Sequence, residues 1–413
     1  MSQLNKKAFP ALGIGVVLCL IGLAAWAYQI VNGLQVTALN NLFSWGLYMG
    51  SFEFFIAVAT GGMLVFSITY IWRIEALKPF TKIAAVTAFA SVVASGIAIL
   101  TDLGQPFRVM QMLLHPQFGS PLFWDVVILS IYALITFIAV ILQLWPMTKK
   151  NQFKRGVGAD CEVLSRKLSY IALPFLVVLN AGTALMFAVQ PSREWWHSAV
   201  LPIDAIAVGI ATGAAIMLIV QSIVVDQERY EKWSKGFVIL AKIGAAAILA
   251  HFVFSFLEIV TIAWNGGLEG QELIHLVLGK YGVWYFLEML LPLIAMIIWF
   301  LHKGGMRKAV SVGSVLVLIG MFIQKMMHFA PAFNQIPLTL PSGGAENTLW
   351  SFPVSSGFFR EGEDLFIRAY DYMPSLPEIA VGLLPVGLLI FIIAAACALF
   401  VMIPEAWQKQ TID

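Results

Sequence analysis

The sequence predicts an all-α integral membrane protein with ten transmembrane helices. Three observations carry that prediction. The composition is 60% hydrophobic and 12% charged, ten apolar runs have bilayer-spanning length, and Lys and Arg outside those runs are distributed one-sidedly. A water-soluble chain of 413 residues could not hide so much apolar surface, so its solvent is lipid. A hydrocarbon core of roughly 30 Å takes about 20 residues of α-helix. Lipid cannot satisfy free backbone groups, so each run is expected to be helical, and the alternating pattern of a membrane barrel is absent.

Span 1 is expected at 10–31, behind Lys6 and Lys7. A signal peptide shares that start, but the apolar core is long and no small-x-small cleavage site follows. Span 2 (47–72) runs from just after Trp45 to Trp72, and span 3 (79–101) from Lys78 to Asp102. Span 4 (121–145) opens on Pro121, which suits a first helical turn, and span 5 (165–189) follows a basic loop at 146–166. Spans 6 (200–225), 7 (236–264), 8 (280–301) and 9 (307–329) are joined by short loops. Span 10 (379–403) follows a long outer segment, 330–378, rich in Pro, Gly and aromatics. Loops of that length tend to be functional, and Trp350, Phe352, Phe358, Phe359 and Phe366 are expected to pack on helix ends or a partner.

Ten spans put both termini and the loops after even-numbered spans on one side. That side holds eighteen Lys and Arg; the other holds Arg108, Arg193, Lys280, Arg360 and Arg368. The bias predicts cytoplasmic termini. Trp72, Trp145, Trp233, Trp299 and Trp407 are expected in the cytoplasmic aromatic belt, and Trp45, Trp124, Trp195, Trp264 and Trp284 in the outer one. The net charge of +2 marks no nucleic-acid surface. Cys19, Cys161 and Cys397 fall too far apart in this topology to build a metal site or a disulfide.

Acids recur near the outer ends of spans: Glu53, Asp102, Asp125, Asp204, Glu258 and Glu288. Aligning spans 2–5 with 6–9 pairs Glu53 with Asp204, Asp102 with Glu258, Asp125 with Glu288, and Asn180 with His328. The whole chain, 1–413, therefore reads as one polytopic domain. It holds two parallel four-helix bundle repeats (47–189 and 200–329), flanking spans 1 and 10, and the 330–378 loop.

Charges inside a membrane cost enough that they usually face a bundle interior or a partner. His251 and Glu258 lie seven apart on one face of span 7, with Ser255 between them and Lys242 nine residues before His251. With Glu288, they form the expected proton path: His251, Glu258, Lys242 and Glu288. The bland alternative is that Lys242 snorkels and His251 bonds a neighbouring backbone. A transmembrane haem needs two histidines at matching depth, and His251 and His328 differ in depth. No redox centre of the chain's own is expected.

The stretch "TDLGQPFRVMQMLLHP" (101–116) ends span 3. Its Asp102, Arg108 and His115 read either as a salt-bridged corner or as a binding site. With "SPLFWD" (120–125) and "YMPSLPEIAVGLLPVG" (372–387), it resembles the polysulfide-reductase membrane-subunit family, NrfD/PsrC. The matching residues are Asp102, Leu103, Gly104, Pro106 and Arg108, while Gln105 stands where many members carry a basic residue. The ten-span plan resembles the family's longer branch, in particular the menaquinone-reductase type of sulfate reducers.

The resemblance implies a cofactor-free, quinone-binding membrane subunit of a multi-subunit respiratory oxidoreductase. It would sit in the bacterial inner membrane with 330–378 in the periplasm. It implies menaquinone as substrate, no haem or iron–sulfur cluster on this chain, and no metal site. The implied partners are a periplasmic iron–sulfur subunit with a molybdopterin-like and/or multihaem cytochrome c subunit, and membrane lipid. Asp102, His115 and Arg108 are then the expected catalytic residues, and Asp102, His115, Tyr48 and Glu53 the expected quinone-binding ones. Two rivals remain at this stage: a secondary transporter whose buried acids bind ions, and a structural anchor whose acids serve packing.

Overall fold

The computed structural model describes residues 6–148, 156–334, 354–357, 366–367 and 370–402. Ten of its helices are long and apolar enough to cross a membrane. They are Phe9–Asn32 (span 1), Leu47–Ile71 (2), Thr81–Asp102 (3), Pro121–Leu144 (4), Val157–Ala188 (5), Leu201–Val224 (6), Ser234–Asn265 (7), Gly282–Leu301 (8), Arg307–Asn334 (9) and Leu376–Leu399 (10). The all-α membrane class holds; besides helices, the described residues include one two-residue antiparallel pairing, Val354–Ser355 with Phe366–Ile367.

Boundaries differ where polar residues continue a helix past the lipid. Span 5 starts at Val157, inside the expected 146–166 loop, because helix propensity does not stop at the bilayer surface. Span 9 continues to Asn334 despite Pro331. Span 10 starts at Leu376, three residues early, because Ser375 and Glu378 form a capping box.

Spans 2, 3, 4 and 5 pack in a ring, and spans 6, 7, 8 and 9 close in the same cyclic order. The rings join where span 2 meets span 6, with spans 5 and 9 beside them. That seam is made of glycine. A methyl group built on Gly61 would lie 2.3 Å from the Gly209 carbonyl oxygen, and one on Gly213 would lie 2.4 Å from the Gly61 Cα. Small residues let membrane helices approach this closely, and dispersion then holds them. Span 1 lies outside the rings along span 10, which also touches span 3.

Two expected belt tryptophans are not in a belt. Trp299 is fully buried inside the second ring, and Trp195 is buried near the opposite end. Trp72, Trp145, Trp124, Trp264 and Trp284 are exposed as expected. Trp407, Arg360, Arg368 and the aromatics Trp350, Phe352, Phe358 and Phe359 lie outside the described residues. Phe366, also expected to pack, is exposed.

Candidate functional site

Two polar constructions occupy the Lys/Arg-poor end. The first is a corner between spans 1, 2, 3 and 10. Tyr48 is buried, and its hydroxyl donates to Gln29 Oε1 at 2.5 Å, whose amide donates to the Thr101 carbonyl at 2.8 Å. Glu378 accepts from the Tyr372 hydroxyl and, at 3.1 Å, from the Ala38 amide. The Tyr372 hydroxyl in turn accepts from the Leu47 amide at 2.8 Å, and the ring stacks on Phe43 with centroids 4.4 Å apart. Asp102 is half-buried at this corner, within electrostatic reach of Tyr48 and Glu378. Its Oδ1 is buried with no hydrogen-bond partner.

Beyond Asp102 the chain turns at Gly104 and forms a 3-10 turn, Pro106–Arg108, and a short helix, Val109–Leu114. Phe107, Leu114 and Phe118 on this segment are 82%, 65% and 68% exposed. The corner thus has a polar floor and an apolar rim. Arg108 and His115 are exposed on the rim. Neither makes an ion pair with Asp102, so the salt-bridged corner is not what the structure shows.

The second construction is a layer of acids through both rings. Glu53 Oε2 accepts from His328 Nδ1 at 3.0 Å and faces Lys325 Nζ at 3.4 Å. Asp125 accepts from the Thr183 hydroxyl at 2.6 Å, and Asp204 pairs with His251 Nδ1 at 2.7 Å. A cavity lined by Asp204, Glu258, Glu288, Ser255, Gln324 and His328 adjoins another lined by Glu53, Asn180, Thr183, Asp204, Lys325 and His328. Glu258 Oε1, Glu288 Oε2, His251 Nε2 and His328 Nε2 are buried in this region without partners. Orphan polar atoms lining a small polar cavity are the setting in which buried water is held.

Proline and tryptophan fix His328 in place. Pro331 lacks the amide that would bond the Met327 carbonyl. Trp195 Nε1 donates to that carbonyl at 2.9 Å, and Trp196 Nε1 to the His328 carbonyl at 2.7 Å. The Phe187 ring packs on the His328 ring at 4.9 Å. The Trp195 indole therefore replaces the helix hydrogen bond that the proline removes.

The structure divides the expected residues between these constructions. Tyr48 and Asp102 share the corner; Glu53 faces span 9 and belongs to the layer; His115 and Arg108 stand outside at the rim. His251, Glu258 and Glu288 share the layer. Lys242 does not join them: it is exposed on span 7, and lies near His302, where burial first and then the Lys242 charge push the imidazole below its ordinary pKa. Below His251 the second ring is closed by Trp299, which contacts Gly244, about 10 Å down span 7. The expected vertical path from Lys242 is therefore not continuous. Sequence reading missed Gln29, Lys325 and Glu378. A lysine in mid-span three residues before His328 was the signal for Lys325, and the Ser-x-x-Glu spacing was the signal for Glu378.

The chain is similar in sequence to subunits of several reductases. A Halobacterium salinarum protein named for the membrane component of a dimethyl sulfoxide reductase is 31% identical over 52% of this chain and 51% of its own length. A selenate reductase subunit of Mesobacillus selenatarsenatis is 24% identical over 53% of the chain and 57% of its own length. The menaquinone reductase integral membrane subunit of Nitratidesulfovibrio vulgaris is 22% identical over 58% and 59%. The chain spans about half the length of the first two curated relatives it matches. The family model described as polysulphide reductase, NrfD, matches residues 35–337, a stretch that includes Tyr48, Asp102 and all ring spans, and the chain therefore belongs to the NrfD family.

Proposed function

We propose that this chain is the quinone-handling membrane subunit of a multi-subunit respiratory oxidoreductase, with menaquinone as its substrate at the Asp102 corner. The observation that carries the reading is the unpartnered, buried Asp102 oxygen behind an apolar, exposed rim. A quinone head group needs a hydrogen-bond partner and a proton at each oxygen, while its tail needs lipid. Asp102 supplies the first, beside the Tyr48 hydroxyl; the rim residues Phe107, Leu114 and Phe118 supply the second. In this reading His115, exposed on that rim, passes protons between the corner and water. Arg108 stands where a partner subunit would dock. The relative named for menaquinone reductase supports the substrate.

Electrons reach the corner from an iron–sulfur subunit docked on the same face, joined by a molybdopterin-like and/or multihaem cytochrome c subunit. In this reading the Lys/Arg-poor face is periplasmic, both termini are cytoplasmic, and the membrane is the bacterial inner one. The two rings are parallel repeats, of which the first carries the quinone corner, while the acid layer runs through both.

The test is quinone turnover in the purified complex. Asp102→Asn removes a proton-accepting oxygen and is expected to lower turnover by roughly 10²- to 10⁴-fold, with Tyr48→Phe lowering it less. His115→Ala is expected to slow turnover while the quinone analogue still binds. Near-normal rates in Asp102→Asn, with the complex assembled, would return the corner to a packing role.

A further inference from the structure

At the opposite, Lys/Arg-rich end, the first ring carries a second polar cavity that the quinone reading does not use. It lies where the end of span 2, the 3-10 segment Glu75–Phe80 and the first turns of span 5 meet, and Arg73, Glu75, Lys78, Glu162 and Arg166 line it. Tyr70, which also lines it, is already satisfied: its hydroxyl bonds Gln143, which in turn bonds Thr81 and Ser165, at 2.8–3.2 Å.

The charged wall is different. Lys78 Nζ pairs with Glu162 at 2.8 Å. Among the described residues, neither Arg73 nor Arg166 makes a hydrogen bond or ion pair, and the Arg166 Nε is buried without a partner. A desolvated guanidinium nitrogen with nothing to donate to is costly. Arg73 also holds the left-handed conformation, at φ 52°, where glycine is the usual residue after a helix. Among the described residues the cavity lining carries three cations against Glu75 and Glu162, a surplus of one positive charge.

We propose that this cavity binds the phosphate of an anionic phospholipid, with Arg73 and Arg166 as its donors. A phosphodiester brings one negative charge, which matches the surplus, and its oxygens accept the forked N–H groups that guanidinium offers. The surroundings favour a lipid over a free phosphate. Trp72, next to Arg73, is exposed, as are Val163 and Tyr170, which flank Arg166 at helical spacing, so acyl chains descend directly from the site. Basic pockets between transmembrane helices are known to take such head groups.

The test is native mass spectrometry of the detergent-purified protein, in the complex that carries it, titrated with phosphatidylglycerol, with diacylglycerol and, separately, with glycerol 3-phosphate. Phosphatidylglycerol is expected to bind better than diacylglycerol. Arg73→Gln combined with Arg166→Gln is expected to weaken it about thirtyfold, about fivefold per residue. Glu75→Gln, at an exposed position, is expected to tighten it, which keeps the test decisive if the arginine variants fold poorly. Equal binding of glycerol 3-phosphate and the lipid would support the phosphate site and assign it to a free phosphate. Phosphatidylglycerol binding that matches diacylglycerol and is unmoved by Glu75→Gln would overturn the proposal.

Discussion

Glu53 sits between two side chains supplied by one helix, the His328 imidazole at 3.0 Å and the Lys325 ammonium at 3.4 Å, and all three side chains are buried. Such a group is sensitive to how it is broken. Removing one partner of a buried pair leaves an uncompensated charge and costs about 3–5 kcal/mol, whereas removing both is far milder. Glu53→Gln is therefore expected to lower the thermal midpoint of the detergent-solubilised protein strongly. Lys325→Met is expected to cost less, because His328 still answers Glu53. The pair Glu53→Gln with Lys325→Met is expected to recover part of the single-variant loss. A double variant no more stable than Glu53→Gln alone would mean that the two charges are not coupled. Sequence could have separated Glu53 from the corner. Tyr48 and Glu53 are five residues apart, which on a helix puts them on different faces, although both lie near one end of span 2.

At the scale of elements, the seam between spans 2 and 6 depends on having no side chain at Gly61 and Gly213. A leucine at either position has nowhere to go but between the backbones. Gly213→Leu is expected to split or destabilise the two rings, read as loss of monodisperse protein in gel filtration, while Gly96→Leu, where a Cβ meets nothing within 4 Å, is expected to behave as wild type. Equal behaviour of both would remove the seam as a determinant. The spans themselves were legible, because hydropathy over about 20 residues reports the bilayer directly. Their lateral order was not, since the acid correspondences suggested two repeats but not which spans touch. Which face of each span turns inward was not, since helices that are apolar all round give no periodic stripe to read. That is why Trp299, expected in the aromatic belt, fills the ring instead, and why the pattern alone did not decide between the path and the snorkelling reading of Lys242, which is exposed. The long segment before span 10 gave a cap, Ser375 with Glu378, that the sequence prints in full.

At the scale of the whole molecule, the acid layer lies close to one face. Glu53, Asp125, Asp204 and Glu288 all lie within seven residues of their helices' Lys/Arg-poor ends. Toward the other end the second ring is filled by Met217, Ile248, Trp299, Val317 and Met321, each fully buried. If turnover at the corner draws protons through the layer from the Lys/Arg-rich side, they must pass that apolar packing and then His251 and Glu258. Charge would cross most of the membrane, and each quinone turnover would build potential. Glu258→Gln keeps the size of the side chain and removes its titratable carboxyl, while the Asp102 corner stays intact. In proteoliposomes, Glu258→Gln and His251→Leu are therefore expected to bind quinone normally but to show a smaller dye-reported potential per turnover. Trp299→Ala, which opens the packing, is expected to let the potential decay faster. Should Glu258→Gln and His251→Leu both leave the potential per turnover unchanged, protons enter from the near face. The layer would then serve to hold the two rings together, and the coupling reading would fall while the quinone corner stood.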